Sequence, residues 1–359
     1  MNPTANKLKP TRQLRLQEGG LLVVILILGA YLTIFGGRVQ MPELRKGVDG
    51  EIERVMVEKN KFFNTRTLIN LTKDTSFIAI MAVGATFVIA SGGIDLSVGA
   101  IYALASVLGA MVFTRFGPDA TGPTAVLSGI LACLATGMAC GLLNGTMIVA
   151  LKVHPFIITL GTMAAFRGVA FVVTNGQSVG GFPQTFRNLV QWETEGGLSV
   201  VPLAVMLFMM ILGSIYLSRL AMGRRIYAVG GNELASRFSG IRVWRTKLSV
   251  YVISGLTAGI AALLALGYYG AASSSDGTSY ELSVIAAAVV GGASLSGGKG
   301  SALGAILGAL ILQMINTGIV ILGINQNYSQ IITGAVVIVA VVLDQFNHWL
   351  AKRRLTKMS

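Results

Sequence analysis

Apolar stretches of about 20 residues, the length that carries a helix across a bilayer, alternate with short polar joints along the chain. They run Gly19 to Gly36, Leu68 to Ala90, Leu96 to Phe113, Thr124 to Ala150, Phe156 to Thr174, Val200 to Leu217, Leu248 to Tyr269, Leu282 to Ser296, Ser301 to Leu322 and Ser329 to Phe346. Inside hydrocarbon every backbone polar group must be satisfied within the protein, so runs of this length predict helices rather than open strands. The expectation is an all-α, polytopic integral membrane protein of about ten transmembrane helices. The eighth run is short for a crossing, and glycines soften the ends of the second and the eighth. The first run is long and ends without a small-residue cleavage site, so it reads as a membrane helix and not as a cleaved leader.

Those two glycine-rich ends share a pattern. Ser91 to Ala100 reads SGGIDLSVGA, and Val289 to Gly304 reads VVGGASLSGGKGSALG. Aligned on their glycines, Gly92 to Gly99 and Gly291 to Gly298 both spell Gly-Gly-x-x-Leu-Ser-x-Gly. Small residues of this kind let helices pack closely. Paired Gly-interrupted segments also mark discontinuous helices around a transport path. On that reading Gly92, Gly93, Gly99, Gly291, Gly292 and Gly298 are helix-breaking glycines. The even number of crossings between the copies implies parallel halves. Gly298-Lys299 does not make a phosphate loop, because that pattern needs a glycine where Ala293 stands and a hydroxyl where Gly300 stands. A dinucleotide fingerprint fails as well, since the next glycine, Gly304, comes one residue late.

Composition agrees with the hydropathy pattern: 53% of residues are hydrophobic and 12% charged, with a mean hydropathy of +0.71, against about 25% charged in soluble domains. The net charge of +13 reflects topology and anionic lipid rather than nucleic acid. With the N-terminus inside and ten crossings, the inside segments hold Lys7, Lys9, Arg12, Arg15, Lys152, the basic residues from Arg219 to Lys247, Lys299 and Lys352 to Lys357. This is the orientation that the positive-inside rule selects. The expected organisation is a cytoplasmic tail over 1–18, a transmembrane domain over 19–350 and a basic cytoplasmic tail over 351–359. Within the domain, 37–61 is a charged extracytoplasmic insertion and 219–247 a cytoplasmic loop. The spacing of Ile52, Val55, Met56 and Lys59 predicts one amphipathic helix in the insertion.

Candidate chemistry is sparse. Cys133 and Cys140 lie on one face of one apolar run and read as packing residues, while His154 and His348 sit at run ends. No His, Cys, Asp or Glu cluster has metal-ligand spacing, and no acid, base or nucleophile is grouped for catalysis. The chain therefore reads as a non-enzyme without cofactor or metal. Arg167 and Asp74 lie at similar depths and are expected to pair, which removes two isolated charges from lipid. Asp95 is expected to cap a helix at the first glycine break. Tyr102, Asn144, Thr159, Thr162 and Asn316 are polar residues within apolar runs and are the candidates for lining a path.

Four blocks in order carry a resemblance: SGGIDLSVGA; VHPFIITLGTMAAFRG at Val153 to Gly168; GRRIYAVGGNELASRFSGI at Gly223 to Ile241; and YELSVIAAAVVGGASLSGGKGSALGAILGALIL at Tyr280 to Leu312. Over about residues 62–345 the chain resembles permease subunits of bacterial ABC importers, in the ribose and simple-sugar branch of the sugar and branched-chain amino-acid permease family. The resemblance implies a multi-pass protein of the bacterial inner membrane. Its implied partners are a cytoplasmic ABC ATPase subunit, a periplasmic sugar-binding protein and a second permease subunit, in a homo- or heterodimeric pore. Insertion 37–61 departs from the short link usual in such permeases, and it reads as a solvated addition or as a docking surface for the binding protein. Asn316-Thr317-Gly318-Ile319 departs from a more asparagine-rich stretch, so the sugar is left open.

The loop 219–247 then acquires a role. Asn232 can cap a short helix from Glu233 to Ser239, Glu233 complements its N-terminus, and Gly240 stops it. Leu234, Arg237, Phe238 and Ile241 form an apolar and basic face too small for a core. Asn232, Glu233, Ala235, Arg237, Phe238 and Gly240 are therefore expected to form a coupling helix in a groove of the ATPase. The alternative, a secondary active transporter of a small polar solute, calls for carboxylates facing a midplane cavity. Only Asp74 and Asp95 qualify, and both are near run ends.

Overall fold

The computed structural model describes residues 10–46, 52–194, 197–336, 338–339 and 342. Twelve helices organise them: α1 (Pro10–Phe35), α2 (Thr65–Ala90), α3 (Val98–Thr114), α4 (Pro123–Leu151), α5 (Pro155–Thr174), α6 (Gln184–Val190), α7 (Val200–Arg219), α8 (Ala221–Gly231), α9 (Glu233–Phe238), α10 (Val243–Tyr269), α11 (Tyr280–Val290) and α12 (Ala302–Ile321). Further helical backbone lies at 329–336. The expected crossing from Ser329 to Phe346 falls partly outside the described residues.

Asn64 starts the central helix. Its Oδ1 accepts from the Thr67 N–H at 2.9 Å, satisfying one of the orphan donors of the first turn. After a polar first half with Arg66, Asn70, Lys73 and Asp74, α2 becomes apolar on all sides and is surrounded, with 83% of its most apolar stretch buried. The same share is 72% in α10 but only 28% in α4, 28% in α5 and 22% in α7. The first two form the interior, whereas the others turn Leu131, Leu142, Val172, Phe208 and Ile211 outward, a surface suited to lipid. Helices α4 and α10 approach without side chains between them: a Cβ on Gly137 would stand 2.3 Å from the Gly255 carbonyl oxygen, and one on Gly255 2.1 Å from that of Gly137. Close backbone contact of this kind is how membrane helices gain dispersion energy in a solvent as apolar as their own side chains.

Among the described residues seven helices are long and apolar enough to cross a membrane, while α3 and α11 are shorter. These two are the helices that adjoin the glycine-rich segments. The fold is the expected helical membrane bundle, with the count of ten complicated by those interruptions.

The insertion is not the expected amphipathic helix. Arg38–Lys46 (β1) and Ile52–Asn60 (β2) form an antiparallel hairpin, in register from Arg38 opposite Asn60 to Lys46 opposite Ile52. Val55, Val57 and Lys59 alternate along β2 and face Glu43, Met41 and Val39 across the ladder. Pro42 would break a helix interior but is tolerated in a two-stranded ribbon, in which both strands are edges. The turn sequence 47–51 lies outside the described residues. A second, two-residue pairing joins Val179–Gly180 (β3) to Ala271–Ala272 (β4) and ties the segment after α5 to the loop after α10.

Candidate functional site

Both interrupted helices end in the same hydrogen-bonded turn. After α2, Ser91 N–H donates to Phe87 O at 3.1 Å, Gly92 N–H to Ile89 O at 2.9 Å and Gly93 N–H to Val88 O at 3.0 Å. After α11, Gly291 N–H donates to Ala287 O, Gly292 N–H to Val289 O and Ala293 N–H to Ala288 O, each at 2.9 Å. The residue that must be left-handed is Gly92 (φ +83°) in one and Gly292 (φ +97°) in the other, a conformation that costs L-residues about 1–2 kcal/mol. The structural equivalence thus pairs Gly92 with Gly292, one residue away from the pairing that matching glycines suggest.

Beyond the turn the two breaks diverge. In the first, Asp95 Oδ1 accepts from Ser97 N–H at 3.0 Å and Ser97 Oγ at 2.6 Å, and Oδ2 accepts from Ser254 Oγ at 2.8 Å. Asp95 thus closes a turn ahead of α3 and does not cap the helix as expected: the N-cap position is Ser97, which makes no side-chain cap bond. Asn144 Nδ2 donates to Ser97 Oγ at 2.7 Å, and Thr159 Oγ1 reaches Pro155 O at 3.0 Å and Ile94 O at 3.4 Å. Thr162 Oγ1 turns back to Thr159 O at 3.3 Å. Of the five candidate path residues, these three therefore lie around or near the first break. The second break continues through Gly297, Gly298 and Gly300, all with positive φ, to Ser301, whose Oγ accepts from Gly304 N–H at 2.8 Å and starts α12. Gly99, by contrast, is helical and faces Gly277 and Glu281.

The breaks meet each other and α8. Gly298 N–H donates to Ala90 O at 2.9 Å. Gly230 fits over this bond so closely that a Cβ on it would stand 2.0 Å from Ala90 O and 2.7 Å from Gly298 N. Three residues earlier, Tyr227 Oη donates to Gly300 O at 2.7 Å. Helix α9 comes directly after α8. Asn232 Oδ1 accepts from Ala235 N–H at 2.9 Å, and Gly240 (φ +78°) ends the helix. Lys247 Nζ reaches Glu233 Oε2 at 2.7 Å and Arg237 reaches Oε1 at 3.1 Å. The hydrogen bond from Lys247 leads in holding the Glu233 carboxyl below its ordinary value. Phe238 is 85% exposed and Leu234 64%.

At the other end of the bundle, two cavities share Tyr269 and Tyr280. One, of about 260 Å³, is lined by Tyr102, Ser106 and Asp276 among others; the second, of about 200 Å³, by Asp74, Ser283, Gln313 and Asn316. Tyr102 and Tyr280 stand 5.4 Å apart between ring centroids. Asn316 Oδ1 accepts from Ser329 Oγ at 3.0 Å. The expected Arg167–Asp74 pair does not form: Asp74 pairs with Lys73 at 3.3 Å, and Arg167 donates to the carbonyls of Ser274, Asp276 and Gly277. Three loop carbonyls converge on the one guanidinium, with the carboxyl groups of Asp276 and Glu281 near enough to act on its charge. Sequence reasoning misses Tyr269, Tyr280, Gln313 and Tyr227. Tyr268-Tyr269 reads as the end of a crossing, and Tyr280 falls just before the next, which runs from Leu282.

Apolar helices, two interrupted segments joined to a polar end-loop, and cavities lined by tyrosine, hydroxyl and amide groups are the parts of a multi-pass membrane transport protein. Over residues 67–341 the chain matches the family described as the branched-chain amino acid transport system permease component, and it belongs to that family. The ribose import permease of Escherichia coli K12 is 41% identical over 290 residues, covering 79% of this chain and 87% of that one. The ribose import permease of Bacillus subtilis 168 is 38% identical over 294 residues, covering 81% and 88%. The D-allose transport system permease of Escherichia coli K12 is 35% identical over 284 residues, covering 79% and 85%. No solved structure matches the chain. Such permease subunits are not enzymes; they work beside an ATPase and a substrate-binding protein.

Proposed function

We propose that the chain is the membrane-spanning subunit of an ABC importer for a simple sugar, that its α9 seats the ATPase, and that a second permease subunit completes the pore. The observation that carries the docking role is Phe238: a large aromatic 85% exposed on a helix that is capped, ion-paired and stopped by glycine. Rigid presentation of an apolar side chain in a polar loop favours a partner with a pocket for it. On this reading α8 and α9 face the cytoplasm and the β-hairpin faces outward. The sugar crosses between α2, α3, α10, α11 and α12, where Tyr102, Tyr269 and Tyr280 offer ring faces and Gln313 and Asn316 replace lost water. Asn144, Thr159 and Thr162 act from the side of the first break. Related chains that import ribose and allose support the sugar assignment.

The test is co-purification of the ATPase from membranes holding equal amounts of permease. Phe238→Ala should cost about 2 kcal/mol, roughly 30-fold in affinity. Ala235→Pro, which removes the N–H bonded to Asn232, should release the ATPase as well. Full recovery with both variants would show that α9 is not the docking element.

A further inference from the structure

Three elements converge where α8 ends. The first break hands the chain to α3, which carries Tyr102; the second hands it to α12, which carries Gln313 and Asn316. Both cavities are thus walled by helices that start at a break. The breaks are joined directly, by Gly298 N–H to Ala90 O, and both touch Gly230. Residue Asn232, which caps α9, lies two positions past Gly230. Displacement of α9 reaches α10 through the Lys247–Glu233 pair and reaches the two breaks through the last turn of α8, where Gly230 has no side chain to absorb it.

From this juxtaposition we infer that Tyr227 and Gly230 are the positioning residues that carry movement of the docked α9 to both helix breaks, and so to the two cavity walls. The two have different tasks. Gly230 sets the distance, because its backbone rests on Ala90 O and Gly298 N. Tyr227 holds one chosen peptide: its hydroxyl donates to the carbonyl of Gly300, in a segment whose glycines at 297, 298 and 300 all have positive φ. A segment of such glycines gives way easily in φ and ψ, so without an anchor it would yield locally instead of moving α12. Burial pushes the Tyr227 hydroxyl up to about 12, so it stays a donor at neutral pH. The far side of the same segment is tied too, by Ser301 Oγ donating to Glu18 Oε1 at 2.8 Å. The peptide that starts α12 is therefore held between α8 and α1. The first break is held by α10 instead, through Ser254 Oγ donating to Asp95 Oδ2 at 2.8 Å and Tyr251 Oη to Ile94 O at 3.3 Å.

The inference rests on the proposal that α9 seats the ATPase, and the experiment separates the two. A reporter cysteine is placed in the cavity as Ser283→Cys, in a chain whose buried Cys133 and Cys140 are replaced by alanine. The permease is purified with its ATPase, and labelling by a membrane-impermeant methanethiosulfonate is compared without nucleotide and with ATP plus vanadate. No sugar is needed. In the parent, nucleotide should change the labelling rate about tenfold. With Tyr227→Phe, ATPase recovery and ATP turnover should remain, while the nucleotide-dependent change falls at least fivefold. A residue that served only folding would lower permease yield and ATPase recovery and leave the nucleotide-dependent ratio in place. An undiminished ratio in Tyr227→Phe would overturn the inference, and so would a parent that binds the ATPase yet shows no nucleotide-dependent change. A parent that recovers no ATPase would sink the docking proposal and the inference together.

Discussion

The two helix breaks begin alike and end differently, and the difference is one of where the constraint comes from. Break one is gathered around a side chain of its own: the Asp95 carboxylate takes two hydrogen bonds from Ser97 and one from Ser254 on α10, Asn144 joins through Ser97, and Tyr251 on α10 donates to Ile94 O. Break two has Gly297 and Gly298 where the first has Ser97 and Val98; besides its own bonds from Gly297 N–H to Ser294 O and from Ser294 N–H to Lys299 O, it is held from outside at Ala90, Tyr227 and Glu18. The same turn thus serves as a fulcrum in one copy and as a compliant joint in the other. The repeated motif specifies how α2 and α11 stop and leaves the path into the next helix unspecified.

The strongest way to break this comparison is to force the two apart. Gly230→Ala places a Cβ against Ala90 O and Gly298 N, both backbone atoms that cannot step aside. Overpacking of this kind costs roughly 3 kcal/mol at the upper end of its range. Gly231→Ala, beside it, meets nothing within 4 Å and should be almost silent. Thermal unfolding of the two variants in detergent gives the contrast, and equal midpoints would mean that the breaks are not pressed together by α8.

A second contrast compares internal with external restraint. Asp95→Ala strands the Ser97 and Ser254 hydroxyls in a buried site and should cost about 2 kcal/mol, seen as a lower midpoint of thermal unfolding. Ser301→Ala removes the cap of α12 and should cost about 1 kcal/mol. The reverse order would make the second break the more tightly determined one.

The smallest effect belongs to Glu233. Its folded carboxyl is held below the ordinary 4.5, first by the hydrogen bond from Lys247. The group therefore contributes stability that is fully present above its unfolded value and is lost as pH falls through the depressed folded value. Because the side chain is 41% exposed, screening reduces the contribution to below about 0.5 kcal/mol. Glu233→Gln should lower the unfolding midpoint slightly at neutral pH, with the difference vanishing once the pH is well below 4.5. A difference that grew on acidification would reverse the assignment.

How far this molecule is legible in its residues depends on what each signal encodes. Length and apolarity announce α2, α4, α5, α7, α10 and α12, because a bilayer imposes both. The cap at Asn232 and the stop at Gly240 announce α9, because each answers a local hydrogen-bond or steric need. The hairpin is mistaken for a helix because Ile52, Val55, Met56 and Lys59 fit a helical stripe while Val55, Val57 and Lys59 fit a strand; Pro42, which a helix interior excludes, fits an edge strand. The equivalence of the breaks is displaced by one because matching letters rewards any glycine, while the turn needs only its left-handed residue to be one. Of the cavity walls the sequence offers only Tyr102 and Asn316, as polar residues within apolar runs. Tyr102, Tyr280 and Asn316 are brought together by helices that meet only in three dimensions, and nothing local requires them to be neighbours.

The contact between α4 and α10 has a genetic consequence. Gly137 and Gly255 each press on the other's carbonyl, so an alanine at either meets main chain, and its partner is already the smallest residue available. No compensating reduction in size exists at the facing position. Suppressors of a Gly137→Ala defect should therefore never arise at Gly255, nor the reverse, and a screen should recover them only at positions that let one whole helix shift.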